Sequence, residues 1–389
     1  MADDHPQPEP GILEQGSVTA KRWLIDRLPI WAELRHYRRE NWRYDLTAAA
    51  TVAMVSIPQA IGFALIAGLP PLMVVMSVVV GGFVAALFTS SHHLVFGPTN
   101  SLSIVLAATI YSFSGLALEP AQIALLLALM IGVIQLSAGL AQMGDLTQFI
   151  SRSVVIGYGT AIAVLLIANQ LPYLLGVLEV DRSSGLFRSL LDSVVQVLHG
   201  DFLPYGAAMG LLTILLFEAI ERFWPRAPAE FIGLALVAVL TQAMRLSELG
   251  IRTIASEGAL SVGIPSFVGM PLGATDVTVV PAFLSAAFAL ALLGMLESIS
   301  ISKTLATRSG QRVDANQELI SMGAANVANS LFGAMPGSAS FARSGTNFQA
   351  GARTQLAAAM SSGVVLLALL FVSPLINFLP VASIAAVLL

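Results

Sequence analysis

The sequence predicts an all-α polytopic membrane protein, and three observations carry that prediction. Of 389 residues, 56% are hydrophobic and only 11% charged, against roughly 25% charged in soluble domains; mean hydropathy is +0.81. Apolar runs long enough to cross a bilayer follow one another from about residue 46 onward. Two of those runs are broken by Gly and Pro, at Val95-Phe96-Gly97-Pro98-Thr99-Asn100-Ser101 and between Gly333 and Gly351. Irregular backbone at membrane depth is tolerated only where it lines a cavity. Paired interruptions in corresponding parts of two halves predict inverted repeats around a midplane site.

Taken in order, residues 1–20 are polar and Pro-containing and read as disordered. Residues 1–44 hold no early apolar core, so they are a polar N-terminal segment and not a signal peptide. Residues 21–43 interleave Lys21, Arg22, Arg27, Arg35, Arg38, Arg39 and Arg43 with Trp23, Trp31 and Trp42. That pattern fits an amphipathic segment on anionic lipid; it equally fits the positive-inside signal ahead of a first span. Spans are expected at about 46–68, 71–89, 99–114 (a half-span), 120–142, 149–175, 203–221, 230–246, 281–302, 315–334, 339–352 (a half-span), 355–373 and 377 onward. Pro70-Pro71, Pro120, Pro172, Pro225, Pro228, Pro281 and Pro374 punctuate their ends. Residues 247–280 are Gly-rich and weakly apolar and read as a crossover between halves.

With the N-terminus in the cytoplasm, this alternation puts Arg152, Arg222, Arg226, Lys303, Arg308, Arg312 and Arg353 on the same side. Only Arg182, Arg188, Arg245 and Arg252 fall outside. The last span has about a dozen residues before Leu389, so the chain is expected to be cut short of a complete second repeat. The sequence has no cysteine and no Gly-x4-Gly-Lys phosphate loop, which excludes thiolate chemistry and ATP-driven work by this chain. No nucleophile–base grouping is readable, and an enzyme is not expected.

Three stretches carry a family resemblance. Pro58-Gln59-Ala60-Ile61-Gly62-Phe63-Ala64 to Pro71 is close to PQ-x3-YA-x2-AGLPP, with Phe63 in place of the Tyr; Gly97-Pro98 is a GP break ahead of a third span; Asp314 to Leu319 reads D-x-NQEL. Gly323 to Asn329, Pro336 to Arg343 and Gly351 to Gln355 continue the match. Over residues 45–389 the chain resembles the SulP anion transporters, the sulfate permeases and their prestin and pendrin relatives. The resemblance implies two inverted seven-segment repeats. Segments 1–4 and 8–11 would form a mobile core, segments 5–7 and 12–14 a gate, and segments 3 and 10 would be half-helices. On this chain the boundaries are residues 45–145 for the core part of repeat 1, 146–280 for its gate part and the crossover, 281–373 for the core part of repeat 2, and 374–389 for the start of its gate part. On this resemblance the sequence is expected to stop short of the family's last two segments and its C-terminal STAS domain.

The candidate site follows from the two breaks. Half-helices starting at membrane depth aim free N–H groups and partial positive charge into a cavity. Ser338 and Ser340 read as the cap and first turn of the second half-helix, and Arg343 follows within about one turn. Arg343 is the one basic residue expected inside the membrane, as an anion's counter-charge or as a structural, snorkelling arginine. Ser338, Ser340 and the backbone near Phe341 and Ala342 would donate hydrogen bonds to the anion, with Thr99, Asn100 and Ser101 opposite; plain helix capping is the alternative. Gln59 and Phe63 lie one turn apart beside Pro58, as ligand contacts or as packing around the proline kink. Glu297, amid an apolar span, is a proton carrier, a counter-charge for Arg343 or a cation ligand; Ser298, Ser300 and Ser302 need only bond back to their helix. His92 and His93 lack the companions of a metal site. Asp314, Asn316 and Glu318 read as the cap and first turn of a span.

The expectation is therefore a secondary anion transporter of the cell inner membrane, N-terminus cytoplasmic. It would run proton-coupled symport of a small dicarboxylate, sulfate or bicarbonate, with protons as coupling ion and no cofactor. The alternatives are a passive anion channel or exchanger and a voltage-responsive membrane element. Expected partners are the anion, the bilayer and a second copy of the full-length chain, with no nucleic acid.

Overall fold

The computed structural model describes residues 28–113, 115, 118–144, 152–177, 186–224, 228–258, 265–269 and 280–389. Lys21, Arg22, Trp23, Arg27, Arg182, Arg226 and residues 259–264 and 270–279 of the expected crossover lie outside the described residues. Within them the chain is all-α and polytopic. Its helices are α1 (Pro29–His36), α2 (Asn41–Ala67), α3 (Pro71–Phe88), α4 (Asn100–Ser112), α5 (Pro120–Leu140), α6 (Arg152–Leu174), α7 (Leu186–His199), α8 (Pro204–Phe223), α9 (Ala229–Ala243), α10 (Ile254–Gly258), α11 (Val280–Ser309), α12 (Ala315–Leu331), α13 (Phe341–Gln349), α14 (Leu356–Ile376) and α15 (Val381–Leu388). Two short strands, β1 (Phe96–Gly97) and β2 (Ser338–Ala339), form the one sheet among the described residues.

Local chemistry sets the boundaries. Gly68 closes α2 in a left-handed turn, and Pro70 and Pro71 start α3, where a missing N–H costs nothing. Residues 77–81 of α3 wind as a π-helix. Asp314 caps α12 by accepting from the N–H groups of Asn316 and Gln317. Thirteen residues in α4 and nine in α13 reach only about 20 Å and about 14 Å, short of the roughly 30 Å hydrocarbon core. α2, α3, α5 and α11 are long and apolar enough to cross it.

Two elements differ from expectation. A helix, α7, fills part of a stretch read as a connection; it is amphipathic, with Leu191, Val194, Val195 and Leu198 exposed on one flank. Strand β2 takes the start of what was read as a helix, so α13 begins two residues later than expected. Such a strand is too short to show any period in sequence.

α12 packs along α5, and α2 along α14; α11 lies against α5, and α3 against both α12 and α14. Elsewhere α8 packs on α9 and α15, and α15 on α6. In lipid, helices meet through small residues and interhelical hydrogen bonds rather than by escaping water. The α5–α12 seam follows that rule. A Cβ on Gly132 would sit 2.6 Å from the backbone nitrogen of Val327, so only glycine admits the approach. Across the same seam Ser330 donates to the Leu125 carbonyl at 2.8 Å, and Asn326 to Gln135 Oε1 at 2.8 Å.

Candidate functional site

The two sequence breaks meet. β1 and β2 pair antiparallel, Phe96 opposite Ala339 and Gly97 opposite Ser338. α4 leaves one end of this bridge and α13 the other, so both half-helix N-termini start from one junction. Each presents first-turn N–H groups that have no acceptor within its own helix. Thr99 Oγ1 and Ser338 Oγ, from the two breaks, lie 3.2 Å apart.

Glu297 reaches this junction from α11. It accepts from Ser101 Oγ at 2.8 Å, Ser338 Oγ at 2.6 Å and Thr99 Oγ1 at 3.1 Å, and is itself half-buried. A carboxylate held by three neutral donors keeps hydrogen bonds in either protonation state, because hydroxyls also accept. Plain capping does not describe these hydroxyls. Thr99 occupies the N-cap of α4 yet gives its side chain to Glu297, and Ser338 lies in β2, not in the helix. Ser340 does cap α13, accepting from the Arg343 N–H.

Arg343 is fully buried. One terminal nitrogen, Nη2, donates to the Pro98 carbonyl, which ties the second half-helix to the first break. Its Nε and Nη1 are buried with no acceptor. Its guanidinium lies against Gly97, where a Cβ would fall 2.7 Å from Nη1; Gly97 also has φ 155°, which side chains rarely adopt. Among the described residues no carboxylate forms an ion pair with Arg343. The direct pair with Glu297 is thus not made, although the two charges share one junction.

The remaining expected residues are spread wider. Ser101 is buried beside Glu297; Asn100 is half-buried, with Oδ1 buried and unpartnered. Phe341 and Ala342 are exposed, Phe341 at 60%. Gln59 is half-buried on α2, which packs on α4 and α13. Phe63, one turn on, is buried in the main apolar cluster. No hydrogen bond joins Gln59 to the junction among the described residues.

A supporting frame was not anticipated. The Ser298 hydroxyl accepts from the Ala339 N–H at 3.1 Å instead of bonding back along α11, as Ser302 does. Asn326 of α12 holds both polar groups of Gly337, giving one bond and taking another. Asn329 does the same work for the Met335 carbonyl. Ser344 Oγ accepts from the Val95 N–H. Glu318 lies in the first turn of α12, as expected, and is also wholly buried, accepting from Thr89, Ser90 and Ser91 and so fixing the loop that leads into β1. Asp45, also buried, binds Tyr37, Thr354 and the Arg353 N–H, which fixes the loop that follows α13. The available signal was polar residues at i, i+3 in an apolar helix, at Asn326 and Asn329. His93 is buried edge-on to Phe348, and burial pushes its imidazole down to about 4; His92 faces Glu33.

The chain matches the sulfate permease family over residues 42–389. It is 28% identical to sulfate transporter 4.1, chloroplastic, of Arabidopsis thaliana, over 94% of this chain and 53% of that protein. It is 31% identical to a probable sulfate transporter of Mycobacterium tuberculosis, over 95% of this chain and 64% of that protein. The chain thus spans between half and two thirds of the length of these curated relatives. Its fold is that of the transmembrane domain of a cyanobacterial bicarbonate transporter, BicA, with TM-score 0.79 at 23% identity over 91% of this chain and 88% of that one. With the family matched across nearly all of its spans, this chain belongs to the sulfate permease family.

Proposed function

We propose that the chain is the membrane part of a secondary transporter that moves a small oxyanion together with a proton. One observation carries the reading. A buried guanidinium with two unpartnered nitrogens and a carboxylate held only by hydroxyls sit at a single junction of two half-helix N-termini. Arg343, with the first-turn N–H groups of α4 and α13, supplies positive potential for the anion; Ser338, Ser340, Thr99, Asn100 and Ser101 are the polar wall. Glu297 carries the proton. The names of the relatives put sulfate ahead of the small dicarboxylate that leads on sequence alone, with bicarbonate third.

Electrostatics favours the coupling. Moving one charge against 100 mV costs about 2.3 kcal/mol, so a dianion entering a negative interior faces about 4.6, which one accompanying proton halves. Neutralising Glu297 also removes an unpaired charge from the part that must cross the gate. In this reading residues 45–145 and 281–373 form the moving core. Residues 146–280 and 374–389 belong to the gate, as halves of two inverted repeats. The packing of α8 on α9 and α15, and of α15 on α6, fits that division, with α15 also meeting α2 where gate and core touch. The N-terminus lies in the cytoplasm of a cell whose inner membrane holds the protein, and the full-length chain works as a homodimer.

The test is uptake of radiolabelled sulfate, succinate, bicarbonate and chloride into proteoliposomes, with and without an inward proton gradient. Concentrative sulfate uptake accelerated by the gradient is expected. Uptake indifferent to the gradient favours a passive exchanger or channel, and charge displacement without accumulation favours a voltage-responsive element.

A further inference from the structure

We propose that α1 and the first turns of α2 form a docking surface for the anionic headgroups of the lipid leaflet on the N-terminal side. α1 is not a straight extension of the first span. The chain turns at Tyr37, whose hydroxyl is tied to Asp45 Oδ2 at 3.1 Å, so the angle between α1 and α2 is fixed. Burial and the Asp45 charge push that phenol up to about 12, so it stays a neutral donor. α1 is docked by its buried Ile30 and by Glu33, which faces His92. It packs on the end of α3.

Much of the rest of this segment is exposed. Trp31 is 49% exposed and Trp42 51%, with Leu34, Tyr44 and Leu46 exposed beside them. Arg35, Arg38, Arg39 and Arg43 are interleaved with these side chains, exposed, and in no ion pair among the described residues. Arg353 stacks on Tyr44 with its guanidinium carbon 3.6 Å from the ring centroid, adding a cation to the same surface. Aromatic rings prefer the headgroup level of a bilayer, and basic clusters next to a span bind acidic lipid. A topology signal alone needs charge; it does not need an angle fixed by a buried carboxylate or exposed tryptophans set among the arginines. The occupant is therefore acidic phospholipid. Each arginine adds about fivefold to affinity at such a surface.

Two measurements on the full chain test this. In the first, Arg35→Gln, Arg38→Gln, Arg39→Gln and Arg43→Gln are combined, and phospholipid retained from an equal mixture of phosphatidylglycerol and phosphatidylcholine is counted by native mass spectrometry. Retained phosphatidylglycerol should fall at least tenfold, with phosphatidylcholine unchanged and with retention kept in the matching Lys variant. Unchanged phosphatidylglycerol leaves these arginines to topology and overturns the proposal. The second keeps every arginine, so misinsertion cannot confuse it. With Trp23→Phe and Trp224→Phe, fluorescence of Trp31 and Trp42 should be quenched more by brominated phosphatidylglycerol than by brominated phosphatidylcholine. Equal quenching overturns the proposal, and quenching by neither lipid assigns the surface to a protein partner.

Discussion

The two half-helices start from one bridge but are built from opposite materials. Beyond its polar first turn α4 is mostly apolar, with Leu102 and Leu106 fully buried in the main cluster. α13 buries Arg343, Ser344 and Asn347. Their caps differ in the same sense. Thr99, at the head of α4, makes no capping bond to a backbone N–H and gives its hydroxyl to Glu297, with Ser101 Oγ 3.3 Å away. Ser340, at the head of α13, keeps its hydroxyl for the Arg343 N–H. One half-helix is thus organised round the carboxylate and the other round the guanidinium. The two charged groups share a junction without pairing, so anion binding and proton response should be separable by mutation.

Arg343→Ala tests that separation with the largest effect. It removes the one buried cation at the junction, and stripping a partner from a buried charge costs about 3–5 kcal/mol. Uptake at low anion concentration should fall by at least 100-fold, while chromatographic behaviour of the purified protein stays unchanged. Wild-type affinity in this variant would make Arg343 structural. Glu297→Gln comes next. The three hydroxyls can turn to accept from the amide, so anion exchange should stay within about threefold of wild type while acceleration by an inward proton gradient disappears. A full pH response in this variant would move the proton role elsewhere. Gly97→Ala is a smaller perturbation aimed at the guanidinium, with some strain added to β1 by its φ of 155°. Its methyl would sit 2.7 Å from Arg343 Nη1, which forces the guanidinium to shift. The KM of uptake should rise about tenfold with the pH response intact; a changed pH response and an unchanged KM would contradict the division.

The contrast between the half-helices was partly legible in sequence. Gly97-Pro98 and Pro336-Gly337 announced both breaks, because only such residues stop a helix inside apolar sequence. Arg343 and Glu297 stood out because charges in spans are costly. What joins them was not legible. A two-residue strand has no periodicity, so the β1–β2 bridge left no trace, and Ser338 read as a cap. Glu318 looked like an ordinary first-turn acid. Its burial depends on Thr89, Ser90 and Ser91, more than 200 residues away in sequence, whose hydroxyl and N–H donors are recognisable only once the chain is folded. Asp45 was hidden the same way, since its partners at Arg353 and Thr354 lie at the other end of the core. Helix α7 was missed because its apolar residues form one flank of an amphipathic helix instead of a continuous run.

The finest test sets the two caps against each other. Thr99→Val keeps shape and removes one of three donors to Glu297, leaving Ser338 at 2.6 Å and Ser101 at 2.8 Å. Losing one donor should move the midpoint of proton-driven uptake while leaving coupling in place, because two donors remain. Stability should change little, since this hydroxyl caps no backbone N–H and its one contact within α4 is a long one, 3.3 Å to Ser101 Oγ. Ser340→Ala should do the reverse. It deletes a true but long cap, 3.4 Å from the Arg343 nitrogen, so the loss belongs at the low end of the capping range, about 0.5 kcal/mol. A drop of one or two degrees in Tm with an unmoved pH midpoint is expected. The two sites act on different charges, so the double variant should combine both effects, additive within about 0.5 kcal/mol. If Ser340→Ala moved the pH midpoint and Thr99→Val did not, the carboxylate and the guanidinium would be coupled through β2, and the assignment of one half-helix to each would fail.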